Sequence, residues 1–370
     1  MIVPIIYIST FLFVAYTIIL ALYKQGLQQL PPPAANQPFF STSVSIIVAA
    51  RNEAHHLKNC LSALLAQHYP KELLEIMVVD DHSDDGTLAI AQQFPQLRVL
   101  RLAEGEQGKK AAITMAVSHA SGKLIVTTDA DCTMGQDWLP TIVSAYEQVG
   151  AKMLMAPVKL SPTNNLLEIW QAMDMAGLMS ITAGSIAINF PQMCNGANLA
   201  YEKEAFLSLG GYDAHTTNPS GDDVLLMFAI KKKYPNGLHF MMDEKAVVST
   251  APQISLKALL MQRIRWISKA GALPKKVTAV LVLSYLFNLM VVVNLLVAFA
   301  YPAHWMLFGL LLVMKTVIEF PLLYRSLRLF GQQKLLWWLP LVQPLHVLYA
   351  TTVGLLALIW PYEWKGRRYP

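Results

Sequence analysis

Hydrophobic and polar positions along this chain fall into three regimes. Residues 2–23 form one apolar run without a charge. Between residues 43 and 160, short apolar runs alternate with stretches of helical periodicity. After residue 276 long apolar runs return, at Val277 to Ala300, Trp305 to Leu323 and Leu336 to Trp360. A helix needs roughly 20 apolar residues to cross a bilayer. The pattern therefore predicts a transmembrane anchor over residues 1–24 and a linker over 25–42, stiffened by Pro31-Pro32-Pro33. A soluble domain over 43–270 and a membrane domain of about three helices over 271–370 would follow.

Within the middle regime, Val44 to Ala50, Leu74 to Val79, Leu97 to Leu102, Leu124 to Thr128 and Ala151 to Leu160 read as strands. Helical segments near Glu53–Gln67, Asp85–Gln93, Lys109–His119 and Asp137–Val149 separate them. The first helix repeats apolar residues at Leu57, Leu61 and Leu64. Strands alternating with helices predict an α/β domain, a doubly wound and mainly parallel sheet flanked by transmembrane helices. Residues 164–190 read as a helix rich in methionine (Met173, Met175, Met179), either in a core or at an interface where Met adapts to irregular partners.

Composition supports the membrane reading. The chain is 54% hydrophobic and 14% charged, against about a quarter charged in an ordinary soluble domain. Its net charge of +5 is modest, and Lys and Arg gather near the spans, which points to membrane-facing loops and away from nucleic acid. Cys60, Cys132 and Cys194 are odd in number and show no C-x-x-C, so neither a disulfide framework nor a zinc site is indicated. No basic residue precedes the first run and Lys24 follows it. That charge order suits an uncleaved anchor with the middle domain in the cytosol, as in a bacterial inner membrane. The Tyr301–His304 turn would lie outside, and Arg325, Arg328 and Lys334 inside. A last span would place Lys365, Arg367 and Arg368 outside, against the positive-inside rule, unless Pro340 and Pro344 bend that segment or leave it partly interfacial.

Candidate chemistry sits at strand ends. Leu124 to Thr128 runs into Asp129-Ala130-Asp131, and residues i and i+2 of an extended chain point the same way. Open α/β sheets bind ligands at that carboxyl edge. The two acids could share a divalent cation with a phosphate, or be solvated acids at a strand end. The second strand ends in Asp80-Asp81-His82-Ser83-Asp84-Asp85-Gly86-Thr87, where carboxylates could bind a base or ribose and Ser83 or Asp84 could cap the next helix. A calcium loop there fails at Gln92, where a bidentate Glu is needed. The first strand ends in Arg51-Asn52-Glu53, with Asn52 also a plausible helix cap. Gln107-Gly108-Lys109-Lys110 opens a helix whose start favours anions, but it is no Walker loop.

In this order, these motifs resemble the family 2 glycosyltransferases, whose nucleotide-sugar domain has the GT-A fold. Further matches are Asn195-Gly196-Ala197-Asn198-Leu199-Ala200-Tyr201, Gly210-Gly211-Tyr212-Asp213, Gly221-Asp222-Asp223 and Gln262-Arg263-Ile264-Arg265-Trp266. The last resembles the Q-x-x-R-W signature of membrane-bound synthases and ceramide-type glucosyltransferases. The resemblance covers roughly residues 43–270. It implies a nucleotide pocket lined by Asn52, Glu53 and Asp81, with Lys109 near the nucleotide. Asp129 would meet ribose or metal, and Asp131 would bind Mg²⁺ or Mn²⁺. Asp223, preferred to Asp222, would be the general base. Gln262, Arg265 and Trp266 would close over the diphosphate and acceptor.

Those roles suit an inverting transfer from a UDP-sugar, in which a metal and Arg265 meet the charge developing on the leaving oxygen and Asp223 takes the acceptor proton. Asp222 or Asp223 could instead cap a helix, and Arg265 and Trp266 could be membrane-surface residues. A lipid or lipid-linked glycan is the preferred acceptor, since about four spans offer little material for a polymer channel. A processive polysaccharide synthase with a partner subunit or homo-oligomer is the alternative. A non-catalytic nucleotide-sugar-binding membrane protein is the reading from another class.

Overall fold

The computed structural model describes residues 2–32, 39–163, 165–212, 222–268, 270–360, 362–364 and 367–369. The expected motif residues Asp213 and Gly221, and the side chain of Asp222, lie outside what is described. Twelve α-helices and ten sheet strands run along the described chain, followed by a hairpin of Tyr362–Trp364 and Arg367–Tyr369. The strands are β1 (Val44–Ala50), β2 (Leu74–Asp80), β3 (Arg98–Arg101), β4 (Leu124–Asp129) and β5 (Thr133–Met134). They continue as β6 (Met153–Met155), β7 (Val158–Leu160), β8 (Leu199–Glu202), β9 (Leu238–Phe240) and β10 (Val248–Thr250). The helices begin with α1 (Ile2–Gln29), α2 (Leu57–Leu65), α3 (Thr87–Gln92), α4 (Gly108–His119), α5 (Trp138–Val149) and α6 (Leu166–Ala187). Then come α7 (Lys203–Leu207), α8 (Asp222–Lys233), α9 (Leu256–Ile267), α10 (Lys275–Ala300), α11 (His304–Leu329) and α12 (Leu339–Ile359).

The chain divides into two compact units that interleave in sequence. A sheet unit holds residues 29–161 and 191–251, and a helical unit holds 1–28, 162–190 and 252–370. Residues 162–190 and 252–268, expected inside one continuous soluble stretch, therefore cluster with the long apolar helices. The side-chain bonds of α6 and α9 give the reason, as set out below.

The sheet unit carries seven strands in the order β3-β2-β1-β4-β8-β6-β9. β3, β2, β1 and β4 are mutually parallel, and β8 enters antiparallel to β4 and β6. Every residue of β1 except Ala49 is buried, as expected for a parallel strand covered on both faces. The strand anticipated over 151–160 is two. β6 joins the large sheet, the chain turns at Ala156-Pro157, and β7 joins a second sheet ordered β5-β10-β7. Asn198 fixes that change of sheet. Its Nδ2 donates to the carbonyls of Pro157 and Ala246, both at 2.8 Å, and its Oδ1 accepts Trp138 Nε1–H at 3.0 Å. Tyr201 stacks on Phe206, which meets Tyr212 edge-on. The 195–201 and 210–212 segments thus build core as well as any acceptor side.

In the helical unit, α1, α10, α11 and residues 333–357 are each long and apolar enough to cross a membrane. α11 runs on to Leu329, so Arg325 and Arg328 lie in its last turns and not in a loop. Small residues let α1 and α6 touch. A Cβ on Gly184 would stand 2.3 Å from the Tyr23 carbonyl, and one on Gly26 2.2 Å from the Gly184 carbonyl, so neither position accepts a side chain. Ser180 Oγ on α6 donates to the Leu322 carbonyl of α11 at 2.6 Å. Met173, Met175 and Met179 are buried, which settles that helix as core. Several polar groups inside the apolar helices are paired. Lys315 pairs with Glu319, whose Oε2 also accepts Gln343 Nε2–H at 2.6 Å, while Asn294 Nδ2 donates to Ser9 Oγ at 2.8 Å. Such groups must find partners in the protein because hydrocarbon offers none.

Candidate active site

The carboxyl ends of β1, β2 and β4 and the starts of α4 and α8 supply the candidate residues of the sheet unit. Asn52 and His82, just past β1 and β2, both adopt φ +53°. That left-handed conformation is costly for most side chains and cheaper for Asn. Short bonds lace the two loops together. Asn52 N–H donates to Ser83 Oγ at 3.1 Å, Glu53 N–H to Thr87 Oγ1 at 2.7 Å, and Ala54 N–H to Asp85 Oδ2 at 3.1 Å. Asn52 Oδ1 accepts Asp84 N–H at 3.1 Å. Asn52 is therefore a loop clamp and not a helix cap; α2 starts at Leu57 with no side-chain cap. Asp85, rather than Ser83 or Asp84, serves α3 by accepting Thr87 N–H at 2.8 Å.

Asp81 is buried and held from two directions. Its Oδ2 accepts Gly108 N–H at 3.0 Å, and Arg51 Nη1 stands 3.7 Å from its Oδ1. Gly108 has φ +92°, open to glycine without strain, and this aims the first amide of α4 at the carboxylate.

One residue on, Lys109 Nζ forms an ion pair with Asp129. Burial alone would lower the lysine's pKa. The adjacent Asp129 carboxylate and its hydrogen bond, then Asp223, reverse this and hold it above the usual lysine range. Asp223 opens α8. Its Oδ2 accepts Gly196 N–H at 2.8 Å and its Oδ1 accepts Val224 N–H at 2.9 Å. The bond to Gly196 crosses 27 residues of sequence, so Asp223 ties α8 to the segment before β8 and does more than cap a helix. A Cβ on Gly196 would lie 3.4 Å from Asp223 Oδ2 and 3.5 Å from Lys109 Nζ. Asp129, Lys109 and Asp223 thus converge beside this glycine.

Carboxylate oxygens of Asp129 and Asp131 and the Cys132 thiol have ligand atoms within 4.8 Å of one another. Asp131 is oriented by Thr250, whose hydroxyl donates to Oδ2 at 3.1 Å. The Cys60 thiol donates to the Asp129 carbonyl at 3.6 Å; burial and then the charges of Asp131 and Asp129 push its pKa up to about 12. Burial, Asp129 and Asp131 likewise raise the Cys132 thiol well above its ordinary range. Both thiols stay protonated at neutral pH.

Gln262, Arg265 and Trp266 lie on α9, in the helical unit, apart in compact unit from the acids. Of the two residues inside the motif, Arg263 is held by an ion pair. Arg263 is buried, donates from Nη2 to Asp174 Oδ2 at 2.6 Å, and lies over the Trp266 ring at 4.1 Å. Asp174, Thr250 and Cys132 were missed in the sequence reading, whereas Gly196 lies in the expected acceptor-side segment. Only Cys132 carried a signal, being next to Asp131.

The profile of Glycosyl transferase family 2 matches residues 45–199, and that of Glycosyl transferase family group 2 matches residues 124–360. Among curated proteins, "Glycosyltransferase AglE" of Haloferax volcanii is 35% identical over 125 residues, 33% of this chain and 41% of that protein. A "Beta-monoglucosyldiacylglycerol synthase" of Synechocystis sp. is 29% identical over 192 residues, 50% of this chain and 35% of that protein. The chain thus spans less than half the length of these relatives. Among solved structures, the mannosyltransferase PcManGT from Pyrobaculum calidifontis, in complex with GDP-Man and Mn²⁺, matches with TM-score 0.59 and 21% identity. The match covers 96% of this chain and 99% of that one, and shows the GT-A fold with flanking apolar helices. With the family-group profile running over more than half of its residues, the chain belongs to the family 2 glycosyltransferases.

Proposed function

We propose that this protein transfers one sugar from a nucleoside diphosphate sugar to a lipid acceptor at a membrane, inverting the anomeric centre. The observation that carries this reading is the convergence of Lys109, Asp129 and Asp223 around Gly196, beside Asp131. It occurs in a chain with four helices apolar enough to span.

A divalent cation fits the acids. Asp129 and Asp131 offer oxygen donors of the kind Mg²⁺ and Mn²⁺ prefer, and Thr250 fixes one of them. Such an ion, when bound, supplies positive charge to the leaving diphosphate. The chain's own residues do the rest. Asn52, Glu53 and Asp81 line the nucleotide pocket, with Asp81 on the base. Lys109, charged across the neutral range, is a second cation for phosphate oxygens. Asp223 takes the proton from the acceptor hydroxyl as that oxygen bonds to the anomeric carbon. The bond from that carbon to the phosphate oxygen breaks at the same time, and the nucleoside diphosphate leaves with the electron pair. One displacement with one base inverts the centre. Gln262, Arg265 and Trp266 serve the diphosphate and the acceptor end. The glycolipid named in the Synechocystis relative supports a lipid acceptor, and the charge pattern around the spans supports a cytosolic sheet unit. We assign UDP-sugars as the donor class; the GDP-Man in the Pyrobaculum complex makes GDP-sugars the necessary comparison.

The test incubates the purified full chain with Mn²⁺ or Mg²⁺, a panel of UDP- and GDP-sugars, and a polar lipid extract. The expected product is a lipid heavier by one glycosyl residue, with equimolar nucleoside diphosphate released. A ladder of long polymer would favour a polysaccharide synthase instead. No release with any donor would favour a binding protein without turnover.

A further inference from the structure

The last apolar helix, α12, offers two stations for judging its depth. At the first, Gln343 Nε2 donates to Glu319 on α11. Glu319 precedes the end of α11 at Leu329 by ten residues, or about 15 Å at 1.5 Å per residue. At the second, Tyr285 Oη on α10 donates to the Thr351 carbonyl at 3.4 Å, and its ring lies against Gly354. Tyr285 follows the start of α10 at Lys275 by ten residues, again about 15 Å. Consecutive spans α10 and α11, joined by a short turn, have their Lys275 and Leu329 ends on one side of the membrane. The two stations are eight to eleven residues apart, about 12–16 Å along α12, yet sit at the same depth. A helix crossing the membrane would have changed depth by that distance.

Contacts on either side agree. His346 Nδ1 lies 3.5 Å from Asp174 on α6, and Tyr349 meets Trp170 of α6 edge-on at 4.6 Å. Val353 packs on Ile264 of α9, with Tyr349, Leu356 and Leu260 around them. The backbone of Tyr362–Trp364 also runs close to α9. α9 ends eight residues before α10 begins, so it lies on the Lys275 side. A spanning α12 would instead deliver residue 362 roughly 30 Å away, near the Tyr301–His304 turn.

We propose that α12 lies in the plane of the leaflet on α9's side and does not cross, with residues 362–364 and 367–369 on that same side. Its partner is the acyl region of that leaflet. Leu341, Leu345, Leu348, Leu355 and Ile359 are exposed at helical spacing along one face, while Gln343, His346 and Thr351 turn to the protein. Trp337, Trp338 and Trp360 flank the helix, as aromatic residues do at headgroup level. The strand Arg367–Tyr369 follows on the headgroup side. This removes the conflict with the positive-inside rule that a fourth crossing creates. The inference is independent of the sugar chemistry.

Single cysteines at Glu363 and Arg368 test it, with Ser268→Cys and Ala303→Cys as references. The full chain is labelled in right-side-out and inverted vesicles by a membrane-impermeant maleimide, against the unsubstituted protein as blank. Glu363→Cys and Arg368→Cys are expected to label in the vesicles that label Ser268→Cys, and not in those that label Ala303→Cys. Labelling with Ala303→Cys, in both orientations, or in neither overturns the proposal. Reaction after denaturation confirms that each thiol was present.

Discussion

Asp223→Asn is expected to lower turnover by roughly 10²- to 10⁴-fold, the range general-base catalysis supplies, while nucleotide-sugar affinity changes little. The amide keeps the carboxylate's size. It keeps one acceptor oxygen for either Gly196 N–H or Val224 N–H, and turns an NH₂ toward the other. Losing one such bond to a charged acceptor costs about 1.5–3 kcal/mol of stability. The thermal midpoint should therefore fall modestly. Titration with the donor separates the two effects, because the nucleotide side (Asn52, Asp81, Gly108) is held by bonds that do not include Asp223. Turnover surviving within a factor of ten would move the base elsewhere, and Asp222 would be the first residue to try.

Asp131→Asn is expected to weaken the apparent affinity for Mn²⁺ or Mg²⁺ on the order of 100-fold, the upper range seen when even outer-shell metal partners are lost. Asp129 shares its carboxylate with Lys109, so Asp131 brings the less compromised charge to a cation. Thr250 still donates to the remaining oxygen of the amide, so the side chain should hold its place. The loss is one of charge and not of geometry. Titrating activity with Mn²⁺, alongside direct Mn²⁺ binding by electron paramagnetic resonance, measures it. Excess Mn²⁺ should restore part of the activity of Asp131→Asn and none of that of Asp223→Asn. Equal metal affinity in Asp131→Asn and the unsubstituted protein would remove this residue from the metal role.

Much of the sheet was legible because parallel strands buried on both faces read as short apolar runs. β1, β2 and β4 end within a residue of their expected positions. β8 was not legible as a strand. Leu199-Ala200-Tyr201 is too short to show a period, and its antiparallel entry is decided by pairing with β4 and β6. The switch of sheet at Ala156-Pro157 depends on Asn198, forty-one residues beyond Pro157. The interleaving of the two units was hidden for a similar reason. Nothing local in α6 announces that Ser180 will meet Leu322 or that Asp174 will meet Arg263.

The candidate site divides the same way. Asp81, Asp129 and Asp131 could be found because a parallel sheet gathers its strand ends at one edge. Lys109 could be found from the glycine before it. Gly196 drew notice only as part of the Asn195–Tyr201 segment, and Thr250 could not be found, since a lone hydroxyl carries no spacing signature. In Gln262-Arg263-Ile264-Arg265-Trp266 the motif residues drew attention, while the buried arginine between them holds the helix through Asp174.

The most direct test of the account is the anomeric configuration of the transferred sugar, read by nuclear magnetic resonance on the isolated lipid product. A single displacement with Asp223 as base predicts a β-linked product from an α-linked nucleotide donor. An α-linked product would contradict it, because retention requires a second displacement or a different mechanism.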